Sequence, residues 1–503
     1  MSEIFSLCAT GLSSLLHPDV ILWIVVGTIL GIIVGAIPGF TSTMACGILL
    51  PVTFFLDPYP AMCFLVAVYI AAIYGGSITA IILNAPGTPE STATTFDGYQ
   101  LTQKGMASEA LGTAIGSSFF GGLISYCVML FCMLPVAKFA LKFGPSEMFL
   151  LALFGIVILV AIGSGKMLKT AMAGSLGLLI GTIGITPLGE WRATFGTVYL
   201  AEGVQMVPAI IGLFSLGEMF DMVGRKYVVD GEKPEARNFG RMSKALFNCF
   251  RYPFTTIRSA IIGTVIGAIP AAGGTLAAFT SYAEAKRASK HPETFGTGDI
   301  EGVVAPETAN NACTGGALIT TLAIGVPGSS TCALLMGALM MQGLTPGPQL
   351  VTTQLDLVYG LIIACIMSQF LMVAMSMGMA YGSVGLLKIN TYVLVPVISV
   401  MCVIGTYAIR KAIFDVALML IFGVIGWFMK KYDYPPVALV LGIVLGPIAD
   451  NQLIRVFARF ESEWFLSFFN RPITFVLSVV MILLLVSQIY REIKSAHNGM
   501  QTK

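Results

Sequence analysis

Four breaks interrupt apolar runs of the chain, and small or polar residues follow each of them. The clearest lies in IILNAPGTPESTATTFDG, residues Ile81–Gly98, where hydroxyl and acidic side chains come directly after Pro86-Gly87. Proline removes a backbone donor and glycine permits left-handed backbone, so the pair predicts an unwound point with a new helix just after it. A helix N-terminus presents free N–H groups and about half a positive charge, which suits it to hold an anion.

The other three breaks have similar chemistry: Pro38-Gly39 precedes FTST, Pro270 precedes AAGGT, and Pro327-Gly328 precedes SST. We predict that the four breaks converge on one substrate site. The predicted substrate-binding residues are Pro38, Gly39, Thr41, Ser42, Pro86, Gly87, Thr88, Ser91, Gly273, Gly274, Thr275, Pro327, Gly328, Ser329, Ser330 and Thr331. The alternative is that the breaks are kinks packed against small residues, with each hydroxyl bonded to a carbonyl of its own helix.

A second group of residues has the chemistry of a cation site. Amide and backbone carbonyl oxygens suit Na⁺, and a buried carboxyl group can carry a proton. The predicted coupling-ion residues are Asn84, Glu307, Asn310 and Asn311. Glu307 has an alternative role as a capping acid at a helix start. We expect no ion-binding role for two further acidic residues. Glu90 should face away from the anion site or pair with another group, and Asp97 should form a turn at the membrane interface.

The motifs that resemble those of enzymes are incomplete, so we predict no catalytic residue, no metal site and no cofactor. Gly163–Thr170, GSGKMLKT, resembles a phosphate-binding loop, but Val160 stands in place of its first glycine and Met167 follows the lysine. Gly296–Asp299, GTGD, resembles a motif of intramembrane aspartyl proteases. Such a protease also needs a Tyr-Asp pair earlier in the chain than this motif. Here the motif lies in a polar loop, and the candidate pair, Tyr432-Asp433, comes after it.

The composition requires that lipid surround most of the chain. Of 503 residues, 56% are hydrophobic and 11% charged, against roughly 25% charged in ordinary soluble domains. Apolar runs of nearly spanning length recur, which predicts an all-α polytopic membrane protein with roughly 10 to 14 embedded segments, several of them broken. The net charge of +2 is too small to suggest a nucleic-acid partner.

The chain contains two copies of one unit. GIIVGAIPG at Gly31–Gly39 matches GTVIGAIPA at Gly263–Ala271, and the PG pair at Pro86 recurs at Pro327. Lys169, Gly181 and Gly184 have weaker counterparts in Lys411, Gly423 and Gly426. We predict two repeats, inverted in the membrane. The predicted units are residues 1–221, a basic cytoplasmic connector at 222–259, a second repeat at 260–460, and a C-terminal helix and tail at 461–503.

These motifs resemble the large membrane subunit of the tripartite tricarboxylate transporters. The resemblance extends from about Leu22 to Arg455 and is strongest in the two PG pairs, in DGYQLTQKG and in PETANNA. Ala271 departs from it, because the first copy has Gly39 at that position. The resemblance implies a secondary symporter that imports a citrate-like di- or tricarboxylate across the bacterial inner membrane, driven by Na⁺ or H⁺. It also implies a small membrane subunit and a periplasmic solute-binding protein as partners.

Two other functions remain open from the sequence. A passive carboxylate channel would use the same broken helices to line a pore, and it would neither accumulate solute nor need a binding protein. An intramembrane aspartyl protease would depend on Asp299 and not on the glycines. An elevator-like movement of the transporter rests on analogy with other binding-protein-dependent carriers.

Overall fold

The computed structural model describes residues 2–162, 167–222, 238–270, 272–382 and 391–501, and these residues are almost entirely helical. The α-helices in chain order are α1 (Ser2–Leu15), α2 (Pro18–Gly35), α3 (Ser42–Leu49), α4 (Pro58–Leu83), α5 (Thr95–Gln103), α6 (Ala107–Ala140), α7 (Pro145–Ile162), α8 (Met167–Gly181), α9 (Met206–Ile210), α10 (Gly217–Met222), α11 (Phe239–Ala245), α12 (Pro253–Ala268), α13 (Gly273–Ala288), α14 (Glu301–Ile319), α15 (Ser330–Met341), α16 (Pro348–Thr353), α17 (Leu355–Gly382), α18 (Thr391–Arg410), α19 (Ile413–Lys431), α20 (Pro436–Phe460) and α21 (Pro472–Gln501). One antiparallel hairpin pairs β1 (Gly184–Ile185) with β2 (Trp191–Arg192).

Six helices among the described residues are long and apolar enough to cross a membrane. They are Pro18–Gly35, Pro58–Leu83, Ala107–Ala140, Leu355–Met379, Ile413–Lys431 and Pro436–Glu463. Shorter apolar helices accompany them, among them Ser42–Phe55 and Ser330–Met341, and such short segments are typical of broken or re-entrant elements. The prediction of an all-α polytopic membrane protein is confirmed.

Glycine allows the paired helices α2–α4 and α12–α14 to approach closely. A Cβ atom at Gly35 would overlap the carbonyl group of Ala72, and one at Gly267 would overlap that of Cys313. Gly267 and Cys313 stand in the second copy where Gly35 and Ala72 stand in the first, at the offsets of the repeated sequence motifs. Small residues let helix backbones touch in lipid, where apolar burial drives little association. The matched contacts support a duplicated unit; its inversion stays a prediction.

The two predicted repeats do not pack separately, because each supplies a helix to the other. Helix α8 packs on α20, where Gly181 faces Gly446, and α19 packs on residues 206–216, where Gly423 faces Leu216. The third sequence match, of Lys169, Gly181 and Gly184 with Lys411, Gly423 and Gly426, does not hold at its last pair. Gly184 lies in strand β1. Its counterpart Gly426 lies inside α19.

The predicted connector, 222–259, is not a solvated linker throughout. Its residues 239–245 form α11, which packs on α6 where Gly112 meets the backbone of Met242 and Gly116 meets that of Leu246. Helix α12 begins at Pro253, before the predicted boundary. The basic residues Arg225, Lys226, Lys233 and Arg237 lie outside the described residues, as do Gly163–Lys166 of the incomplete phosphate loop and Ala271.

Candidate functional site

The second and fourth breaks end their helices in left-handed backbone. Helix α4 ends at Asn84 (φ 56°), and the Gly87 N–H donates to the Gly76 carbonyl at 3.0 Å. Helix α14 continues into a π-helical turn at 320–324 that ends at Gly325 (φ 82°). In lipid an unpaired backbone group costs several kcal/mol, so broken helices persist only where protein or water satisfies them.

Hydroxyl groups cap the short helices after the first and fourth breaks, as the sequence predicts. Thr41 accepts a hydrogen bond from the Met44 N–H at 3.0 Å at the start of α3. Ser329 accepts one from the Cys332 N–H at 3.1 Å at the start of α15. Both short helices therefore begin with satisfied N-caps, which fixes the position of their first turns.

The second and third breaks differ from the prediction. After Pro86-Gly87 the chain forms only a short 3₁₀ turn, Pro89–Ser91, and the next α-helix begins at Thr95. The Ser91 hydroxyl donates to the Thr88 carbonyl of its own turn at 2.8 Å. At the third break α13 begins with Gly273 in left-handed backbone (φ 73°) and has no hydroxyl cap. The helix N-termini that carry hydroxyl caps are thus those of α3 and α15, whereas α13 begins without a side-chain cap.

The four breaks nevertheless converge. Ser42 of the first break lies 3.0 Å from the Thr331 hydroxyl of the fourth, and Thr43 lies 2.9 Å from the same oxygen. Ser42 also donates to Glu90 Oε1 of the second break at 3.1 Å. A Cβ atom at Gly274, from the third break, would lie 2.8 Å from Glu90 Cγ. Elements of both repeats therefore meet around Ser42, Thr331 and Glu90.

Of the two alternatives expected for Glu90, facing away or pairing, the structure contradicts the first, because Glu90 lies inside this convergence and accepts a hydrogen bond from Ser42. Its other oxygen, Oε2, is buried without a hydrogen-bond partner. Next to it, Tyr69 and Ser329 place their hydroxyl oxygens 3.3 Å apart. The site thus combines hydroxyl donors and two helix N-termini with one unneutralised carboxyl group. An anion beside that group requires a proton or a cation to offset the repulsion.

Glu307 occupies a separate, fully buried pocket of hydroxyl groups. It lies in the second turn of α14 and not at its start, so its alternative role as a capping acid is wrong. Ser77 of α4 donates to Oε1 at 2.6 Å, and Ser118 of α6 donates to Oε2 at 2.9 Å. Thr94 also donates to Oε1. The structure gives this carboxyl group no ion pair with any described cationic side chain.

The amide residues divide into two environments. Asn310 and Asn311 are fully buried in α14, where Asn311 Nδ2 lies 3.3 Å from Asn310 Oδ1 and Gln369 Nε2 lies 3.4 Å from Asn311 Oδ1. Asn310 Nδ2 is buried without a partner. Asn84, in contrast, is exposed and serves as the left-handed terminus of α4. The cation site that would combine Asn84 with Glu307 and the buried pair stays a prediction.

Two predicted glycines are explained by packing. A Cβ atom at Gly87 would lie 2.6 Å from Gly76 Cα, and one at Gly328 would lie 2.6 Å from the Gly267 carbonyl oxygen. Valine at either position would therefore disturb the helix pairs as well as the site. The remaining predicted residues lie at the breaks without a direct part in the hydroxyl cluster: Pro38, Gly39, Pro86, Thr88, Thr275, Pro327 and Ser330.

Asp97 is fully buried, so the expectation of a simple interfacial turn is wrong. Its Oδ1 accepts the N–H groups of Gly296, Gly298 and Asp299, each at 2.8 Å, and the Tyr282 hydroxyl donates to Oδ2 at 2.7 Å. The GTGD segment is thus a backbone nest for Asp97. Asp299 itself accepts from the Glu301 N–H at 2.8 Å, which gives it a structural role.

Several hydroxyl groups that complete these sites were not predicted from the sequence. They are Tyr69 near Glu90, and Ser77, Thr94 and Ser118 around Glu307, whereas Thr43 belongs to the hydroxyl residues already noted after the first break. The sequence could have indicated two of them, because Ser77 and Ser118 are polar residues within long apolar segments. Such residues inside a membrane face other protein groups.

Comparison with known proteins agrees with this architecture. Residues 21–441 match the model of the family described as "Tripartite tricarboxylate transporter TctA family". An Agrobacterium vitis protein, "Uncharacterized 52.8 kDa protein in TAR-I ttuC' 3'region", is 37% identical over 456 residues, which is 90% of each chain. A second from that organism, "Uncharacterized protein in TAR-II ttuC' 3'region", is 37% identical over 193 residues, 38% of this chain and 80% of its own.

No solved structure matches the chain. The family match covers both sets of breaks, the hydroxyl cluster and the buried Glu307, and it fits a chain with six candidate spans. The family is one of membrane transporters and not of enzymes. The chain therefore belongs to the tripartite tricarboxylate transporter TctA family, as a membrane subunit of a multi-subunit transport system.

Proposed function

We propose that the chain is a secondary active symporter of the bacterial inner membrane that imports a citrate-like di- or tricarboxylate. A gradient of Na⁺ or H⁺ drives it, a periplasmic solute-binding protein delivers the substrate, and a small membrane subunit accompanies it. One observation carries this proposal: Ser42 of the first break lies within hydrogen-bond distance of both Thr331 of the fourth break and Glu90 of the second. Family membership supports a transport role for that cluster.

The charges around the cluster support symport. A carboxylate substrate would bind through hydroxyl groups and the N-termini of α3 and α15, each worth a fraction of a positive charge. Glu90 opposes it with a full negative charge when ionised. Of the described basic side chains, none forms an ion pair with Glu90 or Glu307. A co-bound Na⁺ or proton removes this imbalance, so cation and anion binding reinforce each other.

The test is uptake of a labelled carboxylate panel into proteoliposomes that hold this chain with its small subunit. Transport is measured with and without the binding protein, under an imposed Na⁺ or H⁺ gradient. We expect accumulation that needs both the gradient and the binding protein. Equilibration without accumulation, indifferent to the binding protein, would show a channel and overturn the proposal.

The hydroxyl cluster gives a more local prediction. Replacing Ser42 with Ala and Thr331 with Val removes two donors to the substrate, and each hydrogen bond to a charged group contributes about 1.5–3 kcal/mol. We expect the double variant to lower kcat/KM for uptake by about 100-fold or more. Thr28→Val is the matched control, because that buried hydroxyl lies outside the breaks and donates to the Ile24 carbonyl of its own helix. Similar losses in both variants would remove the cluster from the substrate site.

A further inference from the structure

A basic cavity lies where the connector helix α11 meets the start of α6. Its volume is about 460 Å³. Residues that line it include Glu109, Arg241, Lys244, Phe247, Asn248 and Arg251. Three of these are basic and exposed, and one is acidic.

The polar groups of this basic cavity are only partly neutralised. Arg241 lies 3.7 Å from Glu109, with 60% of its side chain exposed, which is a weak surface pair. Asn248 donates to the Thr113 hydroxyl at 2.8 Å, so the wall behind the charges is fixed. Lys244 and Arg251 leave the cavity with a surplus of positive charge. The cavity therefore suits an anionic group of modest size.

An apolar groove continues from the basic cavity along α6, and Phe247 lines both. The groove has a volume of about 250 Å³. Its walls include Gly116, Phe119, Phe120, Phe370, Val373 and Ala374. Phe119 and Phe370 place their ring centroids 5.0 Å apart, and Phe370 is 56% exposed. We call this feature the aromatic groove.

The aromatic groove opens beside a belt of exposed apolar residues. Phe250 is 59% exposed and contacts Phe120 with ring centroids 4.6 Å apart, and Phe254 is 87% exposed. Exposed phenylalanine side chains face the acyl chains, whereas long basic side chains near helix ends extend to the lipid headgroups. The basic cavity and the aromatic groove thus lie at the boundary between headgroups and acyl chains.

We propose that the basic cavity and the aromatic groove together bind one anionic phospholipid. The phosphate lies among Arg241, Lys244 and Arg251, and an acyl chain lies in the aromatic groove. Charge and shape both select this occupant. A free phosphate leaves the apolar groove empty, and a zwitterionic lipid carries a cation into the positively charged cavity. The lipid contacts α6 of the first predicted repeat and, through Phe370 and Val373, α17 of the second, so it links the two repeats beside the connector.

Native mass spectrometry of the full-length protein in detergent tests this proposal, with added dioleoyl phosphatidylglycerol or dioleoyl phosphatidylcholine as probe. We expect tighter binding of phosphatidylglycerol. In the triple variant Arg241→Gln, Lys244→Gln, Arg251→Gln, its apparent Kd should rise about 100-fold, since each basic residue near an anionic lipid contributes about a fivefold effect. The charge-matched control Lys286→Gln, Lys290→Gln, Arg455→Gln should leave the Kd nearly unchanged, because these basic residues are exposed elsewhere.

A second variant tests the groove and remains informative if the triple variant does not fold. Ala374 is exposed in the aromatic groove, so Ala374→Trp fills the groove without entering the core. It should weaken binding of phosphatidylglycerol and leave binding of glycerol 3-phosphate unchanged. The proposal is overturned if the two lipids bind equally, if Ala374→Trp has no effect, or if glycerol 3-phosphate binds as tightly as the lipid.

Discussion

Replacing Glu307 with Gln should abolish the dependence of uptake on the ion gradient while the protein still folds. Gln retains the shape of the side chain and one acceptor oxygen for the hydroxyl groups of Ser77, Thr94 and Ser118. It removes the only group in this pocket that can take up a proton or neutralise Na⁺. Coupling between ligands typically changes affinity about 5- to 150-fold, so gradient-driven uptake should fall by a factor in that range.

Glu301→Gln is the matched control for this experiment. Glu301 lies on the same helix, is also buried, and also accepts from hydroxyl groups, Thr255 at 2.5 Å and Ser289 at 2.9 Å. Uptake is measured in proteoliposomes with and without the gradient for wild type and both variants. We expect Glu301→Gln to retain gradient dependence. Unimpaired coupling in Glu307→Gln would remove Glu307 from the ion pathway, whatever the substrate proves to be.

The broken helices could be predicted from the sequence because their causes are local. Pro86-Gly87 and Pro327-Gly328 each remove helical hydrogen bonds within one or two turns, and no distant residue can restore them. The caps Thr41 and Ser329 follow from the same local chemistry. Apolar runs of spanning length likewise predict membrane helices without any knowledge of their neighbours.

The buried carboxyl groups could not be placed in this way because their partners are distant in sequence. Glu307 receives its hydrogen bond from Ser77 across 230 positions. Asp97 is bonded to the N–H of Gly296 across 199 positions. A hydropathy scale predicts that such acidic residues are exposed. Their burial becomes possible because the other predicted repeat supplies the hydrogen-bond donors.

The role of a glycine at a break does not follow from its residue type. Gly87 and Gly328 resemble ligand-binding glycines in sequence, yet both fill positions where helix backbones touch. Either role requires the absence of Cβ, so the residue type alone does not separate them. The structure shows the packing role, since a Cβ atom at either glycine would lie 2.6 Å from a backbone atom of a neighbouring helix.

The second large effect concerns stability: Asp97→Ala should destabilise the protein by about 3–5 kcal/mol. The substitution leaves four donors without their acceptor, three of them backbone N–H groups of the 296–299 loop. Hydrogen bonds to a charged group contribute about 1.5–3 kcal/mol each. Water can reach Gly296, which is exposed, so we do not expect the full sum.

Two milder variants should lose less stability, in proportion to the number of Asp97 hydrogen bonds that each removes. Asp97→Asn keeps an acceptor oxygen for the loop, and its amide group can donate to the Tyr282 hydroxyl, so it should lose about half as much stability. Tyr282→Phe removes only one of the four donors and should cost about 1.5 kcal/mol, the lower end for a hydrogen bond to a charged group. The apparent Tm of the purified protein in detergent should therefore rise in the order Asp97→Ala, Asp97→Asn, Tyr282→Phe. If all three variants melted together with wild type, the Asp97 nest would not hold the two repeats together.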